Sequence, residues 1–235
     1  MSEESRRPSL ERWLSLGTAD VPGVWRERRR IADALRVVIE RLVTSDAPEP
    51  ELAQAAEALE RYAERLKQHP RRTKTFGFPE TANAGEAHAE GTHFDYSPLI
   101  GRANPLAPPL RLWIEGDVAY GSAVFGSAYE GPPGCVHGGM IAAAFDEVLG
   151  FTQSMAGHPG MTGTLTVRYR KPTPLHVELR FAGRMVRIEG RKLFVAATLH
   201  AGDTLCAECE AIFIRVDFAK LAALAEQRQR QRENA

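Results

Sequence analysis

The stretch EGPPGCVHGG at residues 130–139 runs directly into MIAAAFDEVLGF at residues 140–151. A loop of prolines and glycines therefore leads into a helix. At about 100° per residue, a broad apolar face of this helix is formed by Met140, Ile141, Phe145, Val148, Leu149 and Phe151. We expect a sheet to wrap around that face.

The opposite stripe of the helix carries small residues around a single carboxylate. Gly139, Ala142, Ala143 and Gly150 lie on the same side as Asp146. Small side chains can simply allow tight packing, with Asp146 facing solvent, or they can leave room for a ligand. Glycines at a helix start leave backbone NH groups uncovered at the positive end of the helix dipole, which suits a developing oxyanion. The combination favours a functional site.

Helix geometry separates the two parts of this site. Asp146 follows Gly138 by eight residues, or about 12 Å along the axis at 1.5 Å per residue. One helix therefore cannot bring both groups to one carbonyl. If Asp146 is catalytic, a second subunit has to supply the NH of Gly138 or Gly139 across a two-fold interface. The spacing predicts at least a dimer.

Strand patterns flank the helix on both sides. Ahead of it, alternation over residues 110–114 and 118–125, with a turn at Gly116-Asp117, predicts a hairpin. After it, alternation and turn signals predict strands over residues 165–169, 177–181, 193–199 and 205–216. We therefore expect an α+β fold in which an antiparallel sheet surrounds a long central helix.

The N-terminal third is helical. Apolar residues recur at spacings of three and four from Trp25 to about Val43 and again from Leu52 to Leu66, with a break at residues 46–50. We expect these helices to form a hairpin. It could cap a ligand tunnel, extend a dimer interface, cover apolar sheet surface, or serve as an assembly module.

Four segments follow from these patterns. A helical extension covers residues 1–75 and a connecting segment covers residues 76–109. The domain with the central helix covers residues 110–218, and a polar tail of unassigned function covers residues 219–235.

Composition excludes several classes of protein. Thirty Lys and Arg balance thirty Asp and Glu, so no net field attracts nucleic acid or an anionic membrane. No signal-peptide core or membrane-length apolar run occurs, and we expect a cytoplasmic protein without membrane insertion.

Three cysteines, Cys135, Cys206 and Cys209, argue against a disulfide framework. The Cys206/Cys209 pair lies in a predicted strand, where residues three apart face opposite sides, which disfavours a metal or redox site.

The motif at residues 130–139, with Asp146 nine residues after His137, resembles the hotdog-fold acyl-CoA thioesterases of the phenylacetate-pathway type and their animal relatives. The resemblance covers about residues 100–217. It implies a long helix wrapped by an antiparallel sheet, and two such units pairing their sheets edge to edge. A homodimer or a dimer of dimers is therefore expected, with an acyl-CoA as substrate.

The resemblance also implies individual roles. The Gly138 NH polarises the thioester carbonyl, and His137 helps to orient the thioester. Asp146 of a partner subunit acts as general base or nucleophile, and Thr162 supports the carboxylate or a water molecule. Gly150 stands where some relatives carry Ser or Thr, which alters the hydrogen-bond support of the acid.

The remaining substrate contacts are less specific in sequence. Gly139 is expected at the thioester, while Arg168, Arg170 and Lys171 either hold the phosphates of coenzyme A or form a solvated sheet face. No metal or redox cofactor is required. A non-catalytic acyl-CoA binding or sensing protein is the alternative, and the carboxylate of Asp146 argues against it.

Overall fold

A computed structural model of the 235-residue chain describes residues 23–70, 95–155 and 160–216. Within these ranges the elements are helices α1 (Gly23–Thr44), α2 (Glu49–Lys67) and α3 (Gly138–Ser154), and strands β1 (Arg111–Glu115), β2 (Val118–Val124), β3 (Gly160–Tyr169), β4 (Glu178–Glu189), β5 (Lys192–Ala201) and β6 (Thr204–Arg215). A short 3-10 turn covers Ser127–Tyr129. The predicted tail at residues 219–235 and most of the predicted connecting segment lie outside the described residues.

The six strands form one antiparallel sheet. Its order is β1-β2-β4-β5-β6-β3, so β1 and β3 are the edge strands. All the predicted strands are present, and β3 begins at Gly160, five residues before the predicted start. The α+β hotdog architecture expected from the sequence is confirmed.

Helix α3 packs against the sheet and contacts strands β2 to β6. Phe145, Val148 and Leu149 are fully buried, and Phe145 meets Phe181 of β4 edge to face with ring centroids 5.3 Å apart. Burial of each such side chain stabilises the fold by about 1.5–3 kcal/mol. The predicted apolar face is therefore the core face, except that Met140, in the first turn, is only partly covered.

Two strand glycines let the sheet approach this helix. A Cβ on Gly183 of β4 would lie 2.3 Å from the Thr152 hydroxyl oxygen. A Cβ on Gly121 of β2 would lie 3.0 Å from a methyl group of Val148. The close packing of α3 on the sheet therefore depends on glycine at these two positions.

Helix α1 is docked on the segment that leads into β1. Arg29 makes a buried, two-pronged ion pair with Asp95, at 2.8 and 3.0 Å. The guanidinium of Arg36 donates to backbone carbonyls, including that of Ala107 at 3.0 Å. The docked face thus carries charged groups, whereas Leu42 of the predicted apolar stripe is 58% exposed.

Helix α2 forms as predicted but is not packed. All of its residues are exposed, including Leu52, Leu59 and Leu66. The expected hairpin packing of α1 against α2 is therefore not observed. Neither α2 nor any other helix in the described ranges has both the length and the apolar character needed to cross a bilayer.

We predict that Asp95→Ala lowers the free energy of unfolding by about 3 kcal/mol, because it removes the buried carboxylate that accepts two hydrogen bonds from Arg29. Glu27→Ala is the matched control, since it removes an exposed ion pair on the same helix and should cost less than about 1 kcal/mol. Chemical denaturation followed by circular dichroism measures both. Equal losses in the two variants would contradict the docking described here.

Candidate active site

The loop ahead of α3 is closed by its own backbone. The NH of Gly131 donates to the Cys135 carbonyl at 2.9 Å, and the NH of Cys135 donates to the Pro132 carbonyl at 2.9 Å. Gly134 has a φ of 72°, a left-handed conformation that glycine adopts without strain. The Glu130 carboxylate accepts the Gly134 NH at 2.6 Å. The proline and glycine residues of this loop therefore form a single turn, which fixes the direction in which the chain enters α3.

His137 is the N-cap residue of α3. Its Nδ1 accepts the backbone NH of Gly139 at 3.0 Å. A neutral imidazole that accepts at Nδ1 carries its proton on Nε2, which is then a donor. The Gly139 NH, predicted as a substrate contact, is therefore already used within the chain.

Gly138 keeps its backbone NH free. Among the described residues this NH has no hydrogen-bond partner, and it lies at the positive end of the helix dipole. The Gly138 carbonyl accepts the Tyr169 hydroxyl at 2.7 Å. A Cβ on Gly138 would lie 3.3 Å from the Tyr169 ring, so the absence of a side chain allows this contact.

Tyr169 was missed by sequence reasoning. It ends the alternating strand pattern of residues 165–169, and its position marked it only as a strand residue. Its phase in that strand places it on the helix side together with Leu165 and Val167, which pack against the core. The alternation of the strand could therefore have indicated that the Tyr169 side chain lies on the side that faces α3.

Asp146 is held by one hydrogen bond from the neighbouring strand. The Thr162 hydroxyl donates to Asp146 Oδ1 at 2.8 Å, so the two residues predicted to act together are in contact. Asp146 itself is half-buried on α3. The second carboxylate oxygen, Oδ2, has no hydrogen-bond partner among the described residues and is available to a ligand.

A β-bulge directs Thr162 towards the helix. The pairing of β3 with β6 shifts between Thr162 and Thr164, so Gly163 is an extra residue in the ladder. In a regular strand Thr162 and Leu165, three apart, would face opposite sides. The extra residue restores the phase, and both face α3. The contact between Thr162 and Asp146 therefore depends on the bulge.

Glu147 has a perturbed pKa. Burial, followed by the negative charge of the adjacent Asp146, raises the pKa of Glu147 from 4.5 to about 7. No hydrogen bond to its carboxyl occurs within the described residues. Thr162 donates to Asp146 and not to Glu147, so Asp146 is the carboxylate that is held by the neighbouring strand.

The structure gathers the predicted residues into two groups. His137, Gly138 and Gly139 lie at the start of α3, and Asp146 with Thr162 lies two turns further along it. The intervening eight residues correspond to about 12 Å of helix. Each group in one chain therefore lacks its counterpart at reacting distance.

The basic residues of β3 are partly neutralised. Arg170 pairs with Glu208 of β6 at 2.6 Å, and Arg168 pairs with Glu210 at 3.2 Å. Lys171 makes no ion pair within the described ranges. Of the three predicted phosphate contacts, Lys171 therefore has the most available charge.

The cysteines of β6 are free thiols. Cys206 and Cys209 are both buried, in contrast to the expected opposite faces, because the pairing of β5 with β6 is irregular near Cys206. Burial is the main cause that raises the pKa of Cys209 to about 12, so the thiolate needed for metal binding is disfavoured. In the described part of the chain, no group of three His, Cys, Asp or Glu residues is arranged to hold a metal ion.

A family model and a solved structure are both similar to this chain. Residues 133–210 match the family model described as the thioesterase superfamily. A solved structure described as a thioesterase superfamily protein is 33% identical, covers 80% of this chain and 94% of its own, and superposes with a TM-score of 0.70.

Curated relatives are similar over a shorter region. The acyl-coenzyme A thioesterase THEM4 of Mus musculus is 41% identical over 90 residues, which are 37% of this chain and 39% of the relative. The acyl-coenzyme A thioesterase THEM5 of Homo sapiens is 32% identical over 93 residues, 39% of this chain and 38% of the relative. The chain thus spans about two fifths of the length of these curated relatives.

We predict that Glu147→Gln flattens the pH dependence of stability. Because the folded pKa lies above the ordinary value, the folded state binds more protons between pH 4.5 and about 7, and the free energy of unfolding falls as pH rises through that window. The full shift corresponds to about 3 kcal/mol. Denaturation at pH 5, near the lower edge of this window, and at pH 8, above its upper edge, measures the difference.

Glu60→Gln is the control for this prediction, since it removes an exposed carboxyl from α2. It should follow the native pH dependence. A Glu147→Gln curve parallel to the native curve would contradict the burial of an ionisable carboxyl at this position.

Proposed function

This chain belongs to the thioesterase superfamily, and from that premise we propose that it hydrolyses an acyl-coenzyme A thioester to the free acid and coenzyme A. The observation that carries the proposal is a pair of groups on α3 that have no hydrogen-bond partner within the described residues. One is the Gly138 NH at the helix start, and the other is the second oxygen of the Thr162-bound Asp146 carboxylate. A donor for an oxyanion and an acceptor for a water proton are the two groups that this hydrolysis needs.

The proposed reaction begins at the thioester carbonyl. Its oxygen accepts the Gly138 NH, while Nε2–H of His137 is a second donor at the same helix start. Asp146 Oδ2 takes a proton from water, whose oxygen adds to the carbonyl carbon. Collapse of the tetrahedral intermediate breaks the C–S bond, and the proton returns to the coenzyme A sulfur.

Direct attack by Asp146 is the second route. It forms a mixed anhydride between the acyl group and the Asp146 carboxyl and releases coenzyme A, after which water hydrolyses the anhydride. Thr162 suits both routes, because its hydrogen bond to Oδ1 fixes the carboxylate and leaves Oδ2 available. A passive acyl-CoA sensor has no use for this arrangement.

We propose that each active site is shared between two subunits. The separation of Gly138 from Asp146 along α3 supports this, because one chain cannot place both at a single carbonyl. Among the described strands, the edge strand β3, which carries Thr162, pairs with β6 alone, and its other edge is proposed to meet a second copy. A homodimer or a dimer of such dimers follows.

Finer assignments belong to the same proposal. The motif at residues 130–139 with Asp146 supports the phenylacetate-pathway-like subgroup. Lys171, with the ion-paired Arg168 and Arg170 beside it, is proposed to contact the phosphates of coenzyme A. The cytoplasmic location and the absence of a metal requirement stay predictions.

The first test measures free coenzyme A released from short, long, branched and aromatic acyl-CoAs. We expect Asp146→Asn to lower kcat by about 10²–10⁴, the usual contribution of a general base. Thr162→Ala should lower kcat by about tenfold through loss of a hydrogen bond to a charged group, whereas Thr162→Ser retains the hydroxyl and most of the rate. If the native protein releases coenzyme A no faster than Asp146→Asn on every substrate, the proposal is wrong.

The second test removes the oxyanion donor itself. Gly138→Pro deletes the backbone NH, and proline is compatible with the first helical position after His137, whose ψ is 131°. We expect kcat to fall by about 10²–10³. Gly138→Ala is the matched control, because it adds the same Cβ beside Tyr169 but keeps the NH. Similar activities in the two variants would remove Gly138 from the mechanism.

Mixing the two inactive variants tests the shared site. In a mixed dimer of Asp146→Asn and Gly138→Pro, one site combines both intact groups and the other combines both lesions. Coexpression should therefore restore about a quarter of native activity, since about half of the dimers are mixed and each has one intact site. No recovery in a preparation shown to contain mixed dimers would contradict sharing.

A further inference from the structure

Glu40 of helix α1 binds the 3-10 turn that precedes the catalytic loop. Its Oε1 accepts the Ser127 NH at 3.1 Å and its Oε2 accepts the Ala128 NH at 3.3 Å. A Cβ on Gly126 would lie only 2.5 Å from Oε2, so the carboxylate occupies the space that a side chain would need. A carboxylate from the appended helix thus caps a turn in the main domain.

The same turn is held from its other side. The Ser127 hydroxyl is 3.0 Å from Nε2 of His176. His176 has a φ of 59°, in the left-handed region that non-glycine residues rarely adopt, and its NH donates to the Phe125 carbonyl at 2.8 Å. Strained backbone of this kind persists only where surrounding contacts fix it. The position of Ser127 is therefore set by two independent contacts.

The turn is connected directly to the helix start. The carbonyl of Tyr129, its last residue, accepts the NH of His137 at 2.8 Å. His137 in turn accepts the Gly139 NH through Nδ1, in the same turn of helix that carries the Gly138 NH. Tyr129 is also fixed by its hydroxyl on the Leu106 carbonyl and by edge-to-face contact with Phe125. A shift of the turn would move the N-cap of α3.

We propose that Glu40 is a positioning residue for the oxyanion-binding start of α3, so that the N-terminal helix belongs to the active-site architecture. The chain of contacts is short: Glu40 to the turn, the Tyr129 carbonyl to His137, and His137 to Gly139. The effect on catalysis rests on the proposed thioester hydrolysis, whereas the effect on the loop does not.

The docking of α1 sets where Glu40 lies. Arg36, one turn before Glu40, and Arg29, three turns before it, fix the helix through backbone carbonyls and the Asp95 carboxylate respectively. Burial acts to raise the pKa of Glu40, but hydrogen bonds from Ser127 and Ala128, with the nearby His176, outweigh it and leave the pKa below its ordinary value. The carboxylate is therefore charged at neutral pH, and its hydrogen bonds to the turn are of the stronger, charge-assisted kind.

Amide hydrogen exchange tests the loop independently of any activity. We expect Glu40→Ala to increase exchange at His137 and Gly139 by about tenfold or more, with a smaller increase in Glu40→Gln, whose amide oxygen still accepts. Gly126→Ala should reproduce the effect, because its Cβ displaces an unaltered Glu40. Glu27→Ala on the same helix is the control and should leave these amides unchanged.

Kinetics on the acyl-CoA hydrolysed best by the native protein tests the link to catalysis. Glu40→Ala should lower kcat by about tenfold or more while KM changes little, and Glu40→Gln should recover part of kcat. Asp95→Ala weakens the docking of α1 without touching Glu40, and its midpoint of denaturation measures that general loss of stability. Its kcat therefore shows how much activity is lost through weakened docking alone. A loss of kcat that merely follows that midpoint, without faster exchange at His137, would overturn the positioning role.

The two proposals fail in distinguishable ways. Unchanged exchange at His137 and Gly139 in both Glu40→Ala and Gly126→Ala overturns the positioning role whatever the activity. If the native protein hydrolyses no thioester but exchange rises in both variants, the proposed function fails and the control of the helix start by Glu40 stands.

Discussion

A helix cannot satisfy the first four of its own backbone NH groups, and the start of α3 shows how this protein uses that constraint. The NH of His137 itself reaches the Tyr129 carbonyl at 2.8 Å, the Gly139 NH reaches the His137 ring, and the Met140 NH reaches the His137 carbonyl at 2.9 Å. Three of the four donors are therefore satisfied within the chain. The fourth, on Gly138, has no partner among the described residues and is left for a ligand, and the loop, the turn and the sheet hold it in place.

Sequence patterns predicted this arrangement well where the determinant is local. The apolar face of α3 follows from helical periodicity, and the strands follow from alternation, because burial against a single core imposes both patterns. The contact of Thr162 with Asp146 was predicted from resemblance. The bulge at Gly163, which is the physical cause of this contact, was not predicted. A bulge changes which side chains of a strand face the core, and it has no unambiguous sequence signal.

The N-terminal helices were predicted in extent but not in packing. Periodicity of apolar residues suggested which face of α1 would be buried, yet the docked face carries Arg29, Arg36 and Glu40. Buried polar side chains with satisfied hydrogen bonds look like surface residues in a sequence. Their partners are an aspartate and backbone groups far along the chain, and neither is visible from local spacing.

The occupied spaces beside the site glycines have a consequence for how such a protein can diverge. At Gly126, Gly131 and Gly139, a Cβ would meet Glu40, the His137 backbone or the His137 ring at 2.5–3.1 Å. At Gly131 the neighbour is backbone, so a side chain there would force the loop to shift, whereas at Gly126 and Gly139 it would displace the Glu40 carboxylate or the His137 ring. A protein built in this way would therefore change at these three positions mainly through paired substitutions, in which the neighbouring residue changes as well.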